Sequence, residues 1–165
     1  MISLTNPPRG LLRFGLRLPI WLYRLHLGWL LGDRFLMLTH IGRKSGQPRH
    51  TVVEVVKHDS TTDSYYVVSG WGEKADWYQN IHKQPDAVIV AGRRKLPVHA
   101  EDVPVPASAA IIAEYARRNP KAFQELSRMF LHARLEPGSE SSRILAERMP
   151  MIVFHPRSQD VTTAL

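Results

Sequence analysis

Residues 34–58 read RFLMLTHIGRKSGQPRHTVVEVVKH: two β-branched and apolar runs on either side of a basic turn bounded by glycines. Arg34 to Ile41 reads as a strand, Gly42 to Gly46 as a turn and His50 to His58 as a second strand, so the stretch is a β-hairpin. Gly42 and Gly46 permit positive φ. Arg43, Lys44 and Ser45 crowd donors onto one turn, and Arg49 follows where the next strand begins. Such a turn wraps an anion with backbone N–H groups and side-chain donors, or stands as a solvated basic hairpin; the turn alone does not separate the two. It is neither a Walker A loop nor a dinucleotide GxGxxG.

The rest of the chain extends this hairpin. Tyr65 to Ser69 reads as a third strand, broken by Gly70 to Gly72. Ala75 to Lys83 reads as a short helix, with Asp76 near its start and Pro85 beyond its end. Ala87 to Ala91 is a fourth strand, and Gly92 and Arg93 turn it into a fifth, Lys95 to Val103. Helices are expected at Pro106–Asn119, Pro120–Ala133 and Ser141–Met149, then a sixth strand at Met151–His155. Six short strands, mostly joined by hairpins, predict an α+β fold: a small antiparallel barrel with helices around it. We read 1–165 as one domain. It comprises an apolar and basic helical segment (1–33), a barrel core (34–103), a helical insertion (104–149), the last strand (150–155) and a tail (156–165).

Composition narrows the function. The chain has 165 residues and no cysteine, which excludes a disulfide scaffold, a thiol nucleophile and a cysteine-ligated metal centre. The net charge of +7 is local. Arg9, Arg13, Arg17, Arg24, Arg34, Arg43, Lys44 and Arg49 face one acid, Asp33, in the first 50 residues, and the remainder is balanced. Residues 11–32 are rich in Leu and Trp, but Arg13, Arg17, Pro19 and Arg24 interrupt any membrane span or secretory signal. A helix from Pro19 to Leu31 is expected, packed on its own domain or on a partner. In a second reading residues 9–31 lie on an anionic membrane surface. The arginines alternate with Leu and Trp, which suits neither DNA nor RNA, so no nucleic-acid partner is expected. The expected location is cytoplasmic, with peripheral attachment to the inner face of the plasma membrane as the second reading. Eight histidines form no HxxxH or HExxH, so no metal is expected, and a GxSxG elbow is absent.

A second informative stretch is Ser69-Gly70-Trp71-Gly72-Glu73-Lys74-Ala75-Asp76-Trp77-Tyr78-Gln79-Asn80. Two glycines and a lysine precede a helix start, where N–H groups point at an anion. Trp77 and Tyr78 add flat surfaces or anchor the helix to the barrel.

Together these runs resemble a known family. Leu38 to Arg49 (LTHIGRKSGQPR) resembles the signature of the deazaflavin-dependent nitroreductase family, small oxidoreductases that use coenzyme F-420. Trp77-Tyr78-Gln79-Asn80-Ile81, Pro85 to Val88 and Arg148 to Phe154 continue the match. The resemblance implies a split β-barrel of the flavin-binding type and, as barrels of this type do, a homodimer. It implies that Arg43, Lys44, Ser45 and Arg49, between Gly42 and Gly46, hold the phosphate and acidic tail of the deazaflavin. Ser69, Gly70 and Lys74 would lie on the cofactor side, and Trp77, Tyr78 and Asn80 would shape or brace the pocket. Trp71, Tyr115 and Phe123 would line the substrate pocket. Where the family's nitroreductases carry several tyrosines, only Tyr115 has a phenol here. The implied reaction is hydride transfer from reduced F-420 to a small electron-poor acceptor: a quinone, an activated alkene or a nitro compound. The residues alone leave open FMN in the same barrel, or a non-catalytic binder of a fatty acid or haem.

Overall fold

A computed structural model describes residues 33–158; the helix expected at Pro19–Leu31 lies outside the described residues. The 34–58 stretch forms β1 (Phe35–Ile41) and β2 (Pro48–Asp59), paired antiparallel from Phe35↔Glu54 to Ile41↔Pro48. β2 begins at Pro48, two residues before the expected start at His50. Proline is tolerated at the first residue of a strand, where its missing N–H is not required. The chain continues through β3 (Ser64–Val68), α1 (Asp76–Lys83), β4 (Asp86–Ala91), β5 (Arg94–Val103), α2 (Val105–Arg118), α3 (Pro120–Leu131), α4 (Ser139–Arg148) and β6 (Met151–Pro156). Each expected element from residue 34 onward is present within a residue or two of its expected ends.

The six strands close into a barrel in the order β1-β2-β3-β6-β5-β4, every pair antiparallel. β6 enters between β3 and β5 and covers both edges. Its MIVF run is buried throughout because both of its faces are covered. Alternation sets the interior: Leu36, Leu38, Val53, Val67, Ile89, Val98 and Phe154 point inward. α1 packs against one end of this interior with Trp77, Tyr78 and Ile81. Alternation lets β2 serve two cores, and a bulge between Val55 and Lys57 shifts its register on β3. Val55 joins the barrel interior, and Val56 joins an outer core with Ile112, Phe123, Leu145 and Met151 beneath α2, α3 and α4. α2 stops at Asn119 because the residue before Pro120 is held out of the helical region, at φ −133°.

The end of the barrel away from α1 is clamped by charge. Asp63, at φ +54° in the β2–β3 turn, accepts hydrogen bonds from both Arg94 nitrogens across to β5 and sits 2.9 Å from His58 Nε2. Arg94 and then His58 hold the Asp63 carboxyl down to about 2. A carboxylate depressed in the native state stabilises fully above its unfolded value of about 4 and loses that contribution as pH falls through the native value. Asn tolerates the left-handed conformation at this position. Asp63→Asn is therefore expected to lower the urea midpoint at pH 7, with the gap to wild type closing as pH drops from about 4 toward 2. A gap independent of pH would contradict the clamp.

Candidate cofactor and acceptor site

The Gly42–Gly46 turn and α1 meet at the same end of the barrel. The turn is tight: Gly42 N–H donates to Gln47 O (2.9 Å), and Gly46 N–H to Gly42 O (2.8 Å). Gly46 sits at φ +67°. A Cβ on Gly42 would lie 2.6 Å from Ser45 Oγ, so only glycine lets Ser45 fold back over the turn.

Arg43 is committed to holding this turn against the helix. Its backbone N–H and its Nη1 both donate to Asn80 Oδ1 (3.0 Å each), and Nη1 also reaches Asp76 Oδ1 at 3.1 Å. Lys83 Nζ donates to the Arg43 carbonyl at 3.1 Å. Asn80 is buried, and its Nδ2 donates to His40 Nδ1 at 3.0 Å. Two donors on Oδ1 fix which way the amide points. His40 Nδ1 is therefore an acceptor and the ring proton sits on Nε2. Burial, with His50 and Arg49 adding and Asp76 opposing, pushes His40 down to about 4. A neutral, buried histidine thus braces the turn.

Three cations remain uncommitted. Lys44 and Arg49 are exposed beside the turn, and Lys74 is exposed in the short 3₁₀ turn Gly72–Lys74, two residues before Asp76. None of the three makes an ion pair among the described residues. The side chain of Arg49 runs alongside Gly42. Ser45 is exposed with them, its Oγ 3.3 Å from the Gln47 N–H.

The other residues singled out from sequence have structural partners. Ser69 is buried and donates to Gly72 O at 2.7 Å, shaping the segment before α1. Trp77 and Tyr78 are buried in the barrel core. Tyr78 Oη donates to Asp102 Oδ1 (3.1 Å), and burial with the Asp102 charge raises its phenol. Asp102 also holds His82 Nε2 at 2.8 Å. Gly70 and Trp71 lie against Phe130 of α3. Phe123 is fully buried in the outer core and packs there, without an open face. Tyr115 donates to Glu54, which also holds Arg34 Nε at 3.1 Å, beside a cavity of about 410 Å³. Glu54 pairs with Phe35, roughly 20 Å along β2 from the basic turn, so Tyr115 is not brought to the cations. His40 and Asp76 were not singled out from the sequence. His40 occupies an inward position of β1, which alternation does reveal.

Asn80→Ala would leave His40 and the Arg43 N–H without partners. It is expected to destabilise the chain by ~1–3 kcal/mol. In NMR titration of wild type, His40 is expected to stay neutral at pH 6 and to titrate near 4. Because its native value lies below the unfolded one, it removes stability as pH falls from about 6.5 to about 4. A His40 midpoint near 6.5 would contradict the buried brace.

Among the described residues no group of three His, Asp or Glu is placed to hold a metal ion, and no helix is long and apolar enough to cross a membrane. The family model of the F420H(2)-dependent quinone reductases matches residues 17–128. No curated protein matches the chain. Among solved structures it is similar to an F420-H2 dependent reductase, FDR-A, at 18% identity and TM-score 0.50, covering 74% of this chain and 94% of that one. It is similar to a pyridoxamine 5'-phosphate oxidase-related, FMN-binding protein from Nostoc punctiforme at 15% identity and TM-score 0.51, covering 85% and 80%. It is also similar to the haem storage protein HutZ from Vibrio cholerae at 13% identity and TM-score 0.52, covering 82% and 90%. At these identities the three show the barrel fold alone. The family match covers most of the chain and takes in the basic turn, α1 and the first five strands. The chain belongs to the F420H(2)-dependent quinone reductase family and is an oxidoreductase that uses coenzyme F-420.

Proposed function

We propose that the chain reduces a quinone, and that Lys44, Ser45, Arg49 and Lys74 hold the acidic tail of its deazaflavin. The family match supports the quinone, and the observation that carries the tail anchor is the division of the basic residues. Arg43 is spent on Asp76 and Asn80, whereas Lys44, Arg49 and Lys74 stand exposed without a carboxylate among the described residues. Like charges are gathered at such a turn against mutual repulsion, and a polyanion offsets that repulsion. The phosphate and glutamates of the F-420 tail fit this donor set. A fatty acid or haem would leave most of the cations without partners.

When bound, reduced F-420 supplies a hydride and a proton, converting a quinone to its quinol. The chain's own residues bind and orient. The N–H groups of Gly42 and Gly46 are spent on closing the turn, and what the closed turn offers an anion is the exposed Ser45 hydroxyl with the Lys44 and Arg49 side chains. Asn80 and His40 fix the turn relative to α1, so the tail anchor and the Lys74 segment keep one separation.

Lys44→Ala together with Arg49→Ala is expected to weaken F-420 binding by ~1–3 kcal/mol per lost charged hydrogen bond. Wild-type affinity is expected to fall as salt rises, since exposed pairs are screened over ~10 Å at 0.1 M. Isothermal titration at two salt concentrations checks both. Unchanged affinity in the double variant would remove these residues from the site.

A further inference from the structure

We propose that Gly70 and Trp71 form the seat of the quinone ring, and that Phe130 fills that seat when no acceptor is bound. The proposal rests on the quinone reading above and assigns it a place. A Cβ on Gly70 would lie 2.3 to 2.7 Å from three ring atoms of Phe130, so the phenyl ring rests directly on glycine backbone. Only glycine permits that approach. Trp71 meets the same ring edge to face, with centroids 5.3 Å apart at 86°. A flat aromatic ring therefore already occupies a slot shaped for one.

The slot has one unmet demand. Trp71 Nε1 is buried and has no acceptor among the described residues. Buried indole N–H groups normally find a partner, and the exceptions call for an explanation. Phe130 offers no acceptor in the plane of its ring, whereas a quinone offers the same flat shape with carbonyl oxygens at its edge. A quinone that displaces Phe130 keeps a flat ring against Gly70, and tilting away from the edge-to-face setting of Phe130 brings a carbonyl oxygen to the Trp71 N–H.

Phe130 is placed to leave. It lies near the end of α3, which stops at His132 in the left-handed conformation, and its neighbour Met129 is 53% exposed. Phe130 itself is only partly buried. The seat also lies on the segment that carries Lys74 into α1, adjoining the tail anchor along the chain.

The test is a ¹H–¹⁵N spectrum of the ¹⁵N-labelled protein titrated with menadione in the absence of F-420. The chain has four tryptophans, and Trp71→Phe assigns the indole peak of Trp71. Menadione is expected to move that peak downfield and saturably. Trp71→Phe is expected to weaken menadione binding about 5- to 10-fold, the loss of one hydrogen bond. Phe130→Ala is expected to tighten it, and neither variant should change F-420 affinity. The proposal is overturned if menadione does not bind, if it binds without moving the Trp71 peak, or if Phe130→Ala weakens binding. F-420 titrated separately into the same sample tests the cofactor reading by itself, so either can fail alone.

Discussion

The side chain of Asn80 joins three parts of the molecule with three hydrogen bonds. It takes two from Arg43 of the basic turn and gives one to His40 of β1, while its backbone belongs to α1. Without it the β1–β2 turn and the helix at the barrel's end would be tied by the exposed Arg43–Asp76 pair and the exposed Lys83 bond to the Arg43 carbonyl, which hold weakly in water. With it, a buried amide fixes their separation. The bond to His40 also requires that ring to be neutral. Burial enforces neutrality, so desolvation and hydrogen bonding ask for the same state.

That bridge divides the work among the basic residues. Arg43 serves Asn80 and Asp76 together through one nitrogen, Nη1, and it acts as structure. Lys44, Arg49 and Lys74 remain exposed at the surface. At the far end, Asp63 saturates Arg94 and His58, and Glu54 saturates Arg34 and Tyr115. At the near end, Lys44, Arg49 and Lys74 make no ion pair among the described residues.

Much of the fold was legible from the sequence because its elements are local. Period-two runs such as FLMLTHI and TVVEVV mark strands, and Pro120 after Asn119 marks the break between α2 and α3. The insertion of β6 between β3 and β5 was not legible, since it is a pairing across many residues that no local pattern encodes. The same holds for the site. Gly42 to Gly46 with Arg49 could be picked out because turn chemistry is local. Nothing in the spacing of Arg43, Asp76 and Asn80 distinguished a structural arginine from a ligand-binding one. Phe123 and Phe130 show the same limit: seven residues apart on one helix, one lies sealed in the outer core and the other rests on Gly70.

The central claim is that the charge at the near end of the barrel recognises the acidic tail of the cofactor rather than its ring. Equilibrium binding of F-420 beside the same deazaflavin cut back to its ribityl chain tests this directly. F-420 should bind at least ~100-fold more tightly at 0.1 M salt, as two or more charged hydrogen bonds require, and the advantage should shrink as salt is raised. Equal affinity for the two compounds, at any salt concentration, would contradict it.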